Sequence, residues 1–237
     1  LVTNYEDMTD EQAEFADRFF SREVYPVLTP MAVDSSRPFP LIRNKSLNIA
    51  ALLNNPKSGD ECEFATVQVP SVLTRLVRIP AKDPDNIAYI LLEQIIEKNI
   101  DKLFLNYDVL CAFPYRVMRN ADLTIDEDEA ADLLTEIEKQ IKKRQWGEVI
   151  KLEVERGIDK RLLKYLKKVF NINNDDIYKI SGPLDLTFLM KLYGLTGYDN
   201  LRNRPYKPQP VPEIDPEKNI FSQIREKDIL LHHPYQT

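Results

Sequence analysis

Val149-Ile-Lys-Leu-Glu-Val-Glu155 alternates apolar and charged residues without a break, and three residues later comes Asp159-Lys-Arg-Leu-Leu-Lys-Tyr-Leu-Lys-Lys-Val-Phe170. The period of two reads as a strand, with Ile150, Leu152 and Val154 on one face and Lys151, Glu153 and Glu155 on the other. In the second stretch Leu162, Leu163, Leu166, Val169 and Phe170 recur at helical spacing. Asp159 stands where a capping carboxylate accepts from the first free N–H groups. A strand running directly into a helix makes this part of a sheet-plus-helix domain.

Reading outward supplies further elements. Leu47–Leu53 and Glu63–Val69 are strands separated by the hairpin signal Asn54-Asn55-Pro56-Lys57-Ser58-Gly59. Arg75–Ile79 reads as a third strand, ended by Pro80. A helix is expected over 85–99, with Ile87, Ile90, Leu91, Leu92 and Ile95 as its apolar face. Val109–Met118 reads as a strand, and Pro114 inside it points to an edge position or a bulge. Asp126, with Glu129 three residues on, opens the clearest helix of the chain, striped by Ala130, Leu133, Leu134, Ile137 and Ile141. Acids at its start and Lys142-Lys143-Arg144 at its end complement the helix dipole. Asp176–Ile180 is a short strand and Asp185–Tyr193 a short helix. At the N-terminus, Thr9 and Gln12 form a capping-box pattern for a helix over 9–24 that carries Phe15, Phe19 and Phe20 and is stopped by Pro26 and Pro30. The fold class is α+β, a mixed or antiparallel sheet with packed helices preceded by a long N-terminal helix. After Leu201, Pro205, Pro208, Pro210, Pro212 and Pro216 mark an extended linker.

Composition narrows the chemistry. The 237 residues are 43% apolar and 30% charged, a globular balance, and their net charge of −6 argues against a dedicated nucleic-acid binder. No apolar run is long enough to span a bilayer, and Leu1–Asp7 shows no signal peptide. Six scattered glycines, none followed by Lys-Ser or Lys-Thr, exclude a P-loop or a dinucleotide fingerprint. Cys62 and Cys111 are isolated, which gives neither a zinc site nor a disulfide framework and reads as an intracellular chain. Histidine occurs only as His232-His233. By elimination the chain reads as a domain without a complete active site.

Four regions together resemble the type 1 polyphosphate kinase family of bacteria. They are Val24-Tyr-Pro-Val-Leu-Thr-Pro-Met-Ala-Val-Asp34 with Arg37-Pro-Phe-Pro40 and Asn44-Lys-Ser-Leu-Asn48; Arg116-Val-Met-Arg-Asn-Ala-Asp-Leu123 running into Asp126-Glu-Asp-Glu-Ala130; Gly182-Pro-Leu-Asp-Leu186; and Ile224-Arg-Glu-Lys-Asp-Ile-Leu-Leu-His-His-Pro-Tyr235. The resemblance implies a head (middle) domain over residues 1–204. Residues 205–237 would then be the linker and the first residues of a catalytic C-terminal half. It implies a longer parent enzyme that reversibly transfers the terminal phosphate of ATP to polyphosphate through a phosphohistidine, with magnesium. The family's catalytic, nucleotide and metal residues have no matching position here, so no catalytic, cofactor-binding or metal residue is assigned and no cofactor is expected on this chain itself.

The expected partners are the parent's N-terminal and C-terminal domains, a second copy in a homo-oligomer, and polyphosphate and ATP through the parent. Nucleic acid and a transmembrane segment are not expected. The location implied is cytoplasmic, with peripheral membrane association of the parent left open. Candidate inter-domain or polyphosphate contacts are Arg37, Arg43, Arg116 and Arg119, which fall inside the resembling motifs. Phe15, Phe19 and Phe20 are the candidate interface. The basic helix 160–168 reads as a solvated face, with a polyphosphate patch as the lesser reading. Two alternatives stay open: a phosphotransferase using His232 or His233, and a ligand-binding regulatory module.

Overall fold

The computed structural model describes residues 2–33, 39–54, 56, 62–83, 86–120, 147–207 and 209–233. Arg37 and the helix expected from Asp126 lie outside the described residues. The chain divides into two compact units, Leu1–Lys191 and Leu192–Thr237.

The N-terminal helix begins as the sequence dictates. Thr9 Oγ1 accepts from the Gln12 N–H at 3.3 Å, and Gln12 Oε1 accepts from the Thr9 N–H at 3.0 Å. The buried Gln12 amide also donates to the Pro80 carbonyl at 2.6 Å, fastening the helix start to the following sheet. Regular α-helix, α1, spans only Asp10–Phe19. It widens into a π-type turn over Phe20–Val24 and closes as a 3-10 turn over Tyr25–Val27. Pro26 offers no N–H and crowds the carbonyl one turn back, so the regular ladder opens before it. Thr9→Ala is expected to cost about 1 kcal/mol, read by urea denaturation.

Among the described residues eight strands form two sheets. β1 (Met31–Val33), β2 (Leu47–Asn54), β3 (Cys62–Gln68), β6 (Asp108–Arg119), β7 (Val149–Glu155) and β8 (Ile177–Ile180) lie in the order β1-β3-β2-β6-β7-β8. All neighbours are antiparallel except β7 and β8, which run parallel. β4 (Leu76–Ile79) and β5 (Ala88–Leu91) pair separately. The sheet is therefore mixed and the class α+β.

Two expectations need correction. Residues 88–91 are strand, and the helix α2 covers only Leu92–Lys98. All four residues of β5 are buried, and a run apolar at every position carries no period that separates strand from helix. Pro114 is not at an edge, since β6 lies between β2 and β7. It sits opposite Ile49, one residue before pairing with β7 begins at Tyr115 and Val154. Register shifts along β6 fall instead between Val109 and Cys111, opposite Leu53 and Leu52, and between Met118 and Arg119, opposite Lys151 and Val149.

Each face of the large sheet has its own core. Ile49, Ala51, Leu53, Ala65 and Val67 pack with Ala16, Phe20 and Val24 of the N-terminal helical segment and with Leu92, Ile95 and Ile96 of α2. On the opposite face Ala50, Leu52, Phe64, Tyr115, Leu152 and Val154 pack with Leu162, Leu166 and Phe170 of α3 (Lys160–Phe170). Asp159 caps α3 by accepting from the Arg161 N–H at 2.7 Å, and Asn171 ends it in the left-handed region at φ 50°. Tyr115 is fully buried, its hydroxyl 2.9 Å from Thr66 Oγ1, and burial raises the phenol's pKa. Tyr115→Phe leaves the Thr66 hydroxyl its bond to the Ile49 carbonyl, so a loss of only about 1 kcal/mol is expected by the same measurement.

The second unit is a tail organised around single side chains. Arg202 donates to the carbonyls of Tyr193 and Leu195 and lies over the Tyr193 ring. Gln223, on the short helix Ile220–Glu226, binds the backbone of Asp215 and Lys218.

Candidate functional site at an arginine junction

Ala112, Pro114 and Arg116 of β6 share a face with Ala51, Ile49 and Leu47, which stand opposite them, and Glu153 stands opposite Arg116 on the other side. Over β1, β3 and β2 that face is covered by apolar helix residues. Over β6 and β7 it carries charge. Arg116 donates to Glu153 at 3.1 Å and to the Lys45 carbonyl at 3.1 Å, and it lies 3.9 Å from Asp185. Lys151 donates to the other Glu153 oxygen at 2.7 Å and lies over the Tyr178 ring. Burial alone would raise the Glu153 carboxyl, but the hydrogen bonds and charges of Lys151 and Arg116 outweigh it and hold the group below its ordinary range.

Arg75 is the second hub. Its guanidinium faces both oxygens of Glu93, with a closest contact of 2.5 Å, and donates to the carbonyls of Leu184 and Asp185. The Phe188 ring lies 5.1 Å from its centre. Asp185 therefore sits between two guanidiniums, 3.8 Å from Arg75 and 3.9 Å from Arg116. The loop that presents it is unusual backbone, with Gly182 at φ 117° and Asp185 itself at φ 54°. A β-carbon at 182 would be strained in that conformation. Three cations (Arg75, Arg116, Lys151) meet three anions (Glu93, Glu153, Asp185), and the junction is electrically balanced.

The end of β6 is fastened in the same manner. Arg119 donates from Nε to the Ile42 carbonyl at 2.8 Å and from Nη1 to the Gly147 carbonyl at 2.8 Å. Its own N–H donates to Asn44 Oδ1 at 2.9 Å, and the Lys45 N–H donates to the Val117 carbonyl at 2.8 Å. Lys45 has φ 61°, so the 42–46 turn is held in place by β6 rather than by its own preference. Partial burial lowers the Arg119 pKa. The arrangement fastens loops: the donors of Arg116 and Arg119 point at carbonyls and carboxylates of the same unit.

Of the sequence candidates, the structure brings together Arg116 and the Asp185 loop, and places Arg119 at the strand end. Arg43 is exposed. Phe20 is fully buried in the unit's own core, whereas Phe15 and Phe19 are half-buried and stacked at 6.4 Å. Phe15 lines a hollow of about 370 Å³ with Arg78, Ile79, Pro80, Ala81 and Asn86. Arg75, Glu93 and Lys151 escaped the sequence reading. Glu93 carried the usable signal, since a lone carboxylate inside Ile90–Ile96 must find a cation if the run is buried. Among the described residues no cluster of three or more His, Cys, Asp or Glu side chains could hold a metal. The junction's own carboxylates face guanidiniums, so it does not fit a magnesium ion. His232 and His233 are exposed.

Residues 11–192 match the family described as "Polyphosphate kinase middle domain". The chain is 47% identical over 236 residues to a polyphosphate kinase of Halalkalibacterium halodurans, covering 98% of this chain and 33% of that protein. It is 45% identical over 232 residues to a polyphosphate kinase of Lactiplantibacillus plantarum, covering 97% of this chain and 32% of that protein. The chain thus spans about a third of the length of these curated relatives. The crystal structure of polyphosphate kinase from Porphyromonas gingivalis shares the fold over all of this chain and 33% of its own, with a TM-score of 0.66 at 23% identity.

Proposed function

The chain belongs to the polyphosphate kinase family, matching its middle domain, and from that premise we propose that it is a positioning and assembly module of an ATP:polyphosphate phosphotransferase. In this reading the parent moves the terminal phosphate of ATP to polyphosphate and back through a phosphohistidine, with magnesium. Residues 1–204 form the head domain and 205–237 lead into the catalytic half, in a cytoplasmic homodimer. The observation that carries the reading is the commitment of Arg116 and Arg119, two arginines within the family-resembling motifs, to fastening the 42–46 and 182–186 loops. Groups spent on holding loops in place suit a domain that presents surfaces to its neighbours. Arg43, exposed, stays a proposed inter-domain or polyphosphate contact.

The test uses full-length protein with terminally labelled ATP and magnesium, scoring acid-labile protein label and polymer. Both are expected, and both should survive His232→Ala and His233→Ala. Label lost in either variant would place the chemistry on the tail and overturn the division of labour. For assembly, Phe19→Asp is expected to shift the dimer toward monomer in sedimentation by several kcal/mol, because the charge would be buried unpaired. An unshifted dimer from a folded variant would remove α1 from the interface.

A further inference from the structure

We propose that the exposed face of α3 is a docking track for polyphosphate, an inference that rests on the reading of the parent as a polyphosphate kinase. At about 100° per residue, Lys160, Arg161, Lys164, Lys167 and Lys168 all fall within an arc of roughly 120°. The apolar residues Leu162, Leu166 and Phe170 occupy the opposite side and are buried. Lys160, Arg161, Lys164 and Lys168 are exposed. Lys160, Lys164 and Lys168 repeat every four residues, so their stems stand about 6 Å apart along one ridge.

A merely solvated helix face would be built differently. Such faces mix Glu with Lys at four-residue spacing, because like charges there repel. The eleven residues of α3 contain five cations and no acid, within a chain of net charge −6. Two of those cations, Lys160 and Arg161, occupy the first turn, where the helix dipole disfavours positive charge. Asp159 compensates Arg161 at 3.1 Å, and Asn174 accepts from Lys167 at 2.6 Å. Lys160, Lys164 and Lys168 have no partner among the described residues. Local stability does not account for that ridge, whereas an extended polyanion does.

The occupant is a chain of bare phosphates rather than a nucleic acid. Single-stranded nucleic acid is gripped by cations interleaved with exposed aromatic rings on which bases stack. The two aromatic residues of α3 face the core: Tyr165 stacks on Phe64 at 4.5 Å, and Phe170 packs against Phe39. The ridge presents ammonium groups alone, which suits a ligand that has charge and no bases.

The experiment measures binding of full-length protein to long-chain sodium polyphosphate across a salt series, with and without Lys160→Gln/Lys164→Gln/Lys168→Gln. Affinity is expected to fall about tenfold or more, with the slope of log K against log salt shallower by about 2. Product polymer from the variant should be shorter while its transfer to short primers is unchanged. Unchanged polyphosphate affinity and slope in an active enzyme would overturn the track and leave the proposed function standing. A protein that makes no polymer at all would instead remove the proposed function. If a single-stranded oligonucleotide bound wild type as tightly as polyphosphate, and weakened equally in the variant, the face would be a general cationic one and the proposal would fail.

Discussion

Replacing Arg75 by methionine is expected to destabilise the first unit by about 3–5 kcal/mol, the largest loss from any single exposed-or-buried charge in the junction. The side chain of Glu93 is only 6% exposed and its two oxygens face Arg75, so removal of the guanidinium leaves a carboxylate out of water and unpaired. The carbonyls of Leu184 and Asp185 lose their donor at the same time, in a loop whose backbone already sits at positive φ. Methionine keeps an unbranched apolar stem and removes only the guanidinium, whose centre lies 5.1 Å from the Phe188 ring, so charge is lost with little change of volume. Pairing it with Glu93→Met should recover at least half of the loss, because two apolar residues in that space leave no buried charge. Urea denaturation of the two single variants and the double variant gives the coupling. A double variant as unstable as Arg75→Met alone would mean that the Leu184 and Asp185 carbonyls, not Glu93, are what the guanidinium chiefly serves.

Where period and cap agreed, at Asp159–Phe170, and where alternation was unbroken, at Val149–Glu155, the structure has the element within a residue or two of the reading, whereas the helix capped by Thr9 is regular only to Phe19 and continues to Val24 as a π-type turn. Where the run was apolar throughout, at Ala88–Leu91, nothing local separated strand from helix and the structure decided for strand. Within β7 the alternation was legible and the burial was not. Ile150, on the face of the buried Leu152 and Val154, is 51% exposed, and Glu153, on the charged face, is buried. A register shift opposite Met118 and Arg119 takes Ile150 out of the ladder, and Glu153 is buried against a cross-strand partner, Arg116, that lies 37 residues earlier in sequence. The junction was half-legible for the same reason. Arg116 and Asp185 lie in resembling motifs, but Arg75 and Glu93 lie in none, and pairing at a distance of 18 residues is a tertiary fact.

Glu97→Gln is expected to act in the opposite direction, stabilising the protein above pH 8 by about 2–4 kcal/mol. Burial on α2 raises this carboxyl first, and three further acids raise it more: Glu155 on β7, Glu93 one turn earlier on α2, and Glu6 in the turn Tyr5–Asp7. Together they push its pKa up to about 8, while Glu155 is itself raised by burial. Below the ordinary carboxylate range both folded and unfolded chains hold the proton, and the group contributes nothing to the pH dependence. Between about pH 4.5 and 8 the unfolded chain releases the proton and the folded one keeps it, so stability falls as pH rises through that window. Above it the folded domain must carry an ionised carboxylate among acids. Glutamine keeps the shape and cannot ionise, so the variant's stability should be flat where wild type declines. Urea denaturation from pH 5 to 9 distinguishes the two, and parallel curves would show that water reaches Glu97 well enough to ionise it at no cost. Because α2 also carries Glu93, the two substitutions touch one helix: Glu97→Gln should offset part of the Arg75→Met loss by more than simple addition predicts, since removing one acid beside an unpaired Glu93 relieves repulsion there as well.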